Sequence, residues 1–549
     1  MQLRRAGGLV ATLALLLGTS TAKASTALES PDNGVQQTGR GGAWFVRADD
    51  PLAAYFNPAA MAFQATGVHV GAALMFQSRC YTRTGDDGLA VSPGASIPGP
   101  GAVVPTGDKS IPPPATTCGT GGGLFPNPNL AAVFRISNRF AIGLAVVGPH
   151  TDGHNTWPES LPYTNRFGVD KTKDGAGNEI PLTQPAPNRY MLVNSDALLL
   201  FPTLSAAYAV NDSLSFGVGF SWGIATASFT NFAEAIRTDD HKLPDNFTND
   251  IRAKLEAKDL FMPGLIVSAL WMPSKNLDLS AWFRLQDAFK TSTADVTLEA
   301  NYWKTTGVKN EAADITTTNH IDKGSLKLNL PMEAKLGLRY HQNREGGGAR
   351  PSWATKNPTR RTRDPMSEEL FDIELNFTWA NNSAIDQLYL SFQPGLTVNL
   401  GGGVSSPLPT NANIPHYFKD VVGVRLGGDV NVLPGRLALR AGGFFETKGQ
   451  NDEFLGLDFD NAQKYGVGGG ATLRLGPVDV SASFQHTFFG TLDNGGKGAV
   501  HALSGDDKSC AVLVNEGPAP TCNRSVQAIN GGKLAQSLNE IGVGATVRF

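Results

Sequence analysis

Ser213-Leu214-Ser215-Phe216-Gly217-Val218-Gly219-Phe220-Ser221-Trp222-Gly223-Ile224 separates by alternate positions into two chemically different edges. Leu214, Phe216, Val218, Phe220, Trp222 and Ile224 form one, and only Ser and Gly form the other. A strand sends successive side chains to opposite faces, so this period predicts a sheet with one greasy side and one small, polar side. The pattern returns at 325–338, where Leu326, Leu328, Leu330, Met332, Ala334, Leu336 and Leu338 alternate with Ser325, Lys327, Asn329, Pro331, Glu333, Lys335 and Gly337. One continuous apolar stripe is predicted there. At the end of the chain Ile541, Val543, Ala545, Val547 and Phe549 alternate with Gly542, Gly544, Thr546 and Arg548.

The opening residues place Arg4 and Arg5 before an apolar run at 9–17 and the small-x-small triplet Ala22-Lys23-Ala24. This is the pattern of an export signal, predicted to be cleaved after Ala24, so that 1–24 is a signal peptide. Its loss removes three of the 46 basic residues, leaving 43 against 49 acidic, a formal charge of −6. Such a balance offers no footprint for nucleic acid. No later segment has the apolar run of about 18 residues that a membrane helix needs, so the exported chain is either soluble or a transmembrane barrel. A hydrophobic content of 41% is ordinary, but barrel strands meet lipid only at every second residue and keep their average hydropathy low. The 62 glycines fit crowded strands with small inward residues.

Strand-like segments are joined by very short connections at 135–139, 210–213, 272–276, 433–436 and 475–477. Much longer ones occupy about 81–127, 149–195, 231–261, 301–322 and 490–538. Short turns on one rim and long loops on the other are the construction of outer-membrane barrels. About fourteen strands result, an even number that closes the sheet and returns both ends to the periplasmic side. The expectation is therefore an all-β transmembrane antiparallel barrel spanning 63–549 in the outer membrane of a Gram-negative bacterium. Residues 25–62 do not alternate and are rich in Gly, Ala, Asp and Asn. They are too polar to span and too long for a ragged end. A compact N-terminal hatch folded into the wide lumen accounts for them.

Two segments depart from the pattern. The connection 342–365 sits where a short turn belongs and carries Arg344, Arg350, Lys356, Arg360, Arg361 and Arg363; it reads as a disordered insertion, with a partner-binding arm as the other reading. Ile251 and Leu255, spaced among charges, predict a short helix at 249–258. Cys80, Cys118, Cys510 and Cys522 lie in or beside Gly/Pro/Asn-rich stretches. Export permits oxidation, and nearest-neighbour pairing of Cys80 with Cys118 and of Cys510 with Cys522 is one of three connectivities.

Gly39-Arg40-Gly41-Gly42-Ala43 and Asn57-Pro58-Ala59 resemble the hatch of the FadL/TodX family of outer-membrane transporters of hydrophobic compounds. Val147-Gly148-Pro149 followed by Trp157 is similar to the family's third strand and outer loop, and 212–220 resembles its fifth strand. Leu328-Asn329-Leu330-Pro331, Phe377-Thr378-Trp379, 437–442 and the terminal Phe549 follow in order. The resemblance implies a 14-stranded barrel taking up long-chain fatty acids or related molecules by diffusion. Lateral release would pass through a kink of the third strand, at Gly148 and Pro149, with Asn57, Pro58 and Ala59 as the hatch gate beside it. Positions that match the family's carboxylate-holding basic residues are here Thr226, Ser228 and Tyr389. None is cationic, which leaves room for neutral or aromatic hydrocarbons because an unpaired carboxylate is costly in an apolar pocket. Arg425 and Arg440 are expected to pair with Asp429, Glu446 or Asp479 and knit the hatch to the wall.

Trp44, Phe45, Tyr55, Phe56 and Phe63, in or beside the hatch, either line a ligand route or pack the plug. Gly219-Phe220-Ser221-Trp222-Gly223 fits the G-x-S-x-G nucleophile pattern, but alternation runs through Ser221 where that motif requires a strand-to-helix turn. His150 and His154 are four apart around Asp152, but without a helical pattern that spacing does not bring the rings together, and no Cys-x-x-Cys pair exists, so no metal or other cofactor is expected. A lipid hydrolase would need a serine beside His486, and an adhesion barrel would use only its loops; neither is favoured, and no enzymatic activity is expected. The partners expected are a hydrophobic small molecule, outer-membrane lipids including lipopolysaccharide, and the barrel-assembly machinery through the C-terminal strand, with the chain a monomer.

Overall fold

The computed structural model describes residues 34–84, 116–148, 250–300, 318–344, 362–401, 404–407, 410, 412–500 and 529–549. It also describes 154–234 apart from 163, 166–167, 170, 174–176 and 182. The expected signal peptide 1–24, His150, Asp152, Pro149, Cys510 and Cys522 lie outside these residues, as do most of the 342–365 connection and residues 25–33 of the expected hatch.

The wall is a closed antiparallel barrel of 14 strands. Its first half comprises β1 (Gly67–Arg83), β2 (Thr116–Arg135), β3 (Phe140–Val147, resuming at His154–Thr156), β4 (Asn194–Ala209), β5 (Leu214–Glu234), β6 (Asp250–Ser274) and β7 (Leu277–Gln286, then Phe289–Ala300). The second half comprises β8 (Thr318–Leu328, then Glu333–Asn343), β9 (Glu369–Ala380, then Gln387–Ser391), β10 (Val421–Leu433), β11 (Leu437–Glu446), β12 (Lys464–Leu475), β13 (Val478–Phe489) and β14 (Gly532–Arg548). Each strand pairs with its sequence neighbour, and β1 closes on β14 from Gly67 opposite Arg548 to Arg83 opposite Gly532. The short connections fall at one end, as the spacing predicts.

Alternation is realised in space. Phe216, Val218, Phe220 and Trp222 are exposed, whereas Ser215 and Ser221 between them are buried. Val70, Leu144, Leu204, Leu265, Leu426 and Val543 extend the same exposed apolar belt around the wall. A soluble monomer rarely presents so large an apolar surface, so the belt marks a wall that stands in hydrocarbon. Trp271, opposite Leu214, and Trp222, opposite Pro263, bound it on adjacent strands. Their levels differ by eight residues of β5, about 26 Å along a strand at 3.3 Å per residue. Tilt of about 40° makes that a band of about 20 Å, close to the height of a lipid-facing girdle.

Beyond the belt the polarity inverts. On β6 a register shift opposite Gly223 and Ala225 turns both Leu260 and Phe261 outward. At the same level β7 breaks at 287–288, β8 at 329–332 and β9 at 381–386. Above this ring of irregularities apolar side chains face inward and polar ones outward. The predicted helix at 249–258 is therefore a strand, part of β6. Ile251, Leu255 and Ala257 are buried while Glu256 and Lys258 are exposed, because an outward position there meets water and takes charge. The spacing of Ile251 and Leu255 fits a period of two as well as a helix.

The stripe predicted at 325–338 is likewise not continuous. Leu328 is 5% exposed and Leu336 61%, so the break containing Pro331 sends the first leucines into the interior and the later ones to lipid. Leu336→Arg should destabilise the inserted barrel by about 2–4 kcal/mol, the cost of a cation at mid-bilayer. Lys327→Leu, on the water-facing tier, should stay within about 0.5 kcal/mol. Reversible denaturant titration of the refolded barrel in vesicles measures both.

Candidate functional site

Residues 34–64 form two short helices, α1 (Val35–Gly39) and α2 (Ala53–Phe56), and a 3₁₀ turn at Pro58–Phe63. Nearly all of these residues are buried against inward-facing side chains of the strands. Their first half is held by charge. Arg40 donates to Asp372 on β9 and Asp429 on β10, each at 2.7 Å, and Arg47 reaches Asp372 at 2.8 Å. Glu374 accepts the backbone N–H groups of Val46 and Arg47 at 2.9 and 3.0 Å. Burial opposes the Arg40 charge, but Asp372 and Asp429 outweigh it and hold the guanidinium pKa above its usual value. Wall glycines let the backbones touch: a Cβ at Gly442 would run into the Arg40 carbonyl. Arg440 pairs with Asp429 at 3.2 Å and Arg425 with Glu446 at 2.5 Å, two of the pairings the sequence suggests. Both, however, join β10 to β11 within the wall, and it is Arg40 and Arg47 that tie the segment to it. Asp479 instead holds Arg474 and Arg548 on the wall itself.

The second half is held mainly by neutral hydrogen bonds. Asn57 donates to the Phe45 carbonyl at 2.8 Å and to Ser280 on β7 at 2.9 Å. The Ala59 N–H donates to Ser268 on β6 at 2.9 Å, and Ser215 on β5 donates to the Ala59 carbonyl at 2.8 Å. Pro58 lies against Gly217, where a Cβ would collide with it. Asn57-Pro58-Ala59 is thus seated on β5, β6 and β7. Ala54 and Met61 both lie against Gly143 on β3.

Trp44, Phe45, Tyr55, Phe56 and Phe63 are all buried and belong to one apolar cluster. That cluster runs without interruption from these rings to Phe201, Trp282, Phe289, Leu328, Leu390 and Phe418 on the strands and upper connections. Tyr55 packs against Phe56 and Phe201 at 5.1 and 6.3 Å, and Trp44 against Phe56 at 6.3 Å. Two cations stand beside it. Arg284 on β7 contacts Glu333 and the Tyr55 hydroxyl and lies 5.1 Å from the Phe201 ring. Lys335 on β8 lies 4.6 Å from Trp282 and 5.6 Å from Phe56. Thr226, Ser228 and Tyr389 do not join them: Thr226 is exposed, and all three share the outward face, where Ala225, Ala227 and Leu390 beside them turn inward. The signal for Arg284 lies in the period of β7, where Ser280, Trp282 and Arg284 form the inward edge beside outward Leu279, Phe283 and Leu285.

Pairing of β3 with both neighbours stops at Val147, opposite Phe201 and Asn129, and resumes at His154 opposite Asp196 and at Asn155 opposite Gly121. Gly148, described just past the ladder's end, carries no strand pairing. Its missing side chain leaves room for Asn127 and Leu200. Cys80 and Cys118 face each other across β1 and β2 and form a disulfide. His486 on the outer wall shares a hydrogen bond of 2.7 Å with Asn539. Among the described residues no three His, Cys, Asp or Glu side chains cluster as a metal site.

A FadL homologue from Pseudomonas aeruginosa superposes on this barrel with a TM-score of 0.61 at 16% identity, over 95% of this chain and 99% of that one. The toluene transporter TodX from Pseudomonas putida does so with a TM-score of 0.53 at 11% identity, again over 95% and 99%. The fold is that of the FadL/TodX transporters. No family model matches the sequence, and no curated sequence does. At such low identity the likeness is one of architecture, and the seat of Asn57-Pro58-Ala59 in this chain rests on the small side chains of Ser215, Gly217, Ser268 and Ser280. Gly217→Val should therefore unseat that motif, since its side chain must occupy the space of Pro58 and Ala59. Limited proteolysis of the inserted barrel should cut within 52–66 at least tenfold faster than in the parent, with strand content unchanged by circular dichroism.

Proposed function

We propose that the chain is an outer-membrane channel through which hydrophobic small molecules diffuse into the cell, with residues 34–64 as its hatch. The observation that carries this reading is the apolar cluster spanning the upper strand segments and the hatch rings, inside a wall whose exterior is apolar as well. A greasy solute crossing water loses about 0.8 kcal/mol per CH₂; a path lined by Leu328, Leu390, Phe289 and Phe201 removes that penalty. Axial exit would return the solute to water, whereas exit through the wall would not.

The interruption of β3 supports a lateral exit. Pro126 and Pro128 on β2 and Pro202 on β4 stand on either side of it. Proline has no N–H to donate, so the neighbouring ladders are already depleted where β3 departs. Ala54 and Met61 on the hatch face this strand, and Asn57, Pro58 and Ala59 set their position, which is the gate role proposed for the motif.

Amphipathic acids such as long-chain fatty acids are admitted on this reading as well as neutral hydrocarbons, because Arg284 and Lys335 border the apolar path. Pro58→Gly, expressed in a strain lacking its own transporter, should lower entry of labelled oleate and of toluene severalfold. Unchanged entry of both, with the barrel correctly inserted, removes the gate role. Replacing Arg284 and Lys335 by Met, with Glu333→Gln to avoid an orphaned carboxylate, should lower oleate entry about tenfold, the loss of one charge-assisted hydrogen bond. Toluene entry should stay as in the parent, and equal effects on both solutes would remove the carboxylate role.

A further inference from the structure

Residues 362–368 follow the basic connection between β8 and β9 and lie at the short-turn end of the barrel. Within two consecutive residues they grip opposite sides of the wall. Arg363 donates from its side chain to Asp278 on β7 at 2.7 Å and from its backbone N–H to the Phe63 carbonyl at 2.9 Å. Asp364 accepts from Arg474 on β12 at 2.6 Å and lies 3.4 Å from Arg548 on β14. In the closed strand order β7 and β14 stand half the circumference apart. Asn431 on β10 donates to the Pro365 carbonyl at 2.9 Å, and Gly435 beyond it donates to the Met366 carbonyl at 2.9 Å.

The wall groups in this set belong to the inward face. Asp278 and Asn431 are buried, and Arg474 and Arg548 share their faces with buried Thr472 and Thr546. A surface turn would satisfy its polar groups with water or with its own two strands; this one spends them on four other strands and the end of the hatch. Met366 and Pro365 are buried behind it. The segment therefore crosses the mouth instead of hanging from it.

We infer that Arg363 and Asp364 are positioning residues of a strap that closes the axial exit of the barrel and fixes the Phe63 end of the hatch. Solute is then left with the opening in the wall. The strap explains how a lumen polar enough to admit water at its short-turn end need not leak ions while the hatch moves beside β3. This consequence rests on the proposed channel function; the closure itself does not.

The test is ion conductance of the purified full-length mature chain in planar bilayers of phosphatidylcholine in 1 M KCl. The parent should be nearly silent, and Arg363→Ala with Asp364→Ala should raise conductance at least tenfold. Arg363→Lys, which keeps the cation facing Asp278, should restore most of the closure, a rescue that mere loosening of the fold would not give. Heat-modifiable migration on gels establishes insertion, and if the double variant fails it, Asp364→Asn alone should still conduct severalfold above the parent. A correctly inserted variant that conducts no more than the parent overturns the strap. Oleate entry, followed in parallel, judges the channel function separately: a parent that admits no hydrophobic solute defeats that reading, while the conductance result still decides the strap.

Discussion

A β-sheet in hydrocarbon cannot have an edge, because each unpaired N–H or C=O there costs several kcal/mol. The pairing of β1 with β14 over their whole length is the constraint from which the remaining features follow. Closing 14 strands makes a ring wide enough to require filling, and the leading segment supplies atoms that the wall's own Ser and Gly residues do not. Those small residues are in turn required by the filling, since Gly217 and Gly442 sit where the segment's backbone meets the wall. Closure also forbids a simple side exit. Any interruption must be confined to one strand whose neighbours tolerate lost donors, and β3 is flanked by prolines on both sides.

The second constraint is that one strand meets two solvents. Below the ring of irregularities the outer face touches lipid and takes Phe, Leu and Trp; above it the same face touches water and takes Lys and Glu. A strand that kept one register throughout would carry its apolar edge out of the membrane or its charges into it. A bulge on β6 and breaks on β7 and β8 change which positions face inward at one level, while β9, broken at the same level, keeps its even positions inward from Ala380 to Leu388 and Leu390. The inward apolar surface of the upper tier is the product of that reversal, and it becomes continuous with the hatch rings.

Much of this was legible in residue order. The alternation at 213–224 carries the sheet, its greasy side and the small inward side, and the unequal connections carry the rims and the strand count. The paired Cys80 and Cys118 were visible as neighbours. What residue order lacked was the level of the membrane. A period of two reads the same on either side of a face reversal, so the leucines at 326–338 read as one stripe and 249–258 as a helix. The alignment also misplaced the cations. Thr226 and Ser228 keep the parity of outward Phe216 and Trp222, and Tyr389 that of outward Phe377, so the period of their own strands already turns them away from the lumen, while Arg284 and Lys335 lie on inward edges. The strap was masked for another reason, since its partners Asp278, Asn431, Arg474 and Arg548 lie on four strands widely separated in sequence.

The leading segment divides by the kind of bond that holds it. Residues 38–47 are tied to β9, β10 and β14 by guanidinium–carboxylate contacts and by Thr38 donating to Glu540. Residues 54–59 are tied to β4, β5, β6 and β7 chiefly by serine hydroxyls, from Ser205, Ser215, Ser268 and Ser280, with Trp282 and Arg284 on β7 also donating to Tyr55. Net attraction in a buried ion pair is small, but removing one partner costs about 3–5 kcal/mol, so the first half has one permitted position. A neutral hydrogen bond contributes about 0.5–1.5 kcal/mol, and a hydroxyl that loses one partner can rotate to another. The half facing β3 can therefore shift by exchanging hydroxyl partners, while the ionic half keeps the segment from leaving the lumen. A segment glued throughout by apolar packing would lack this division, and on the proposed channel function it would also compete with the solute for the surface along the lumen.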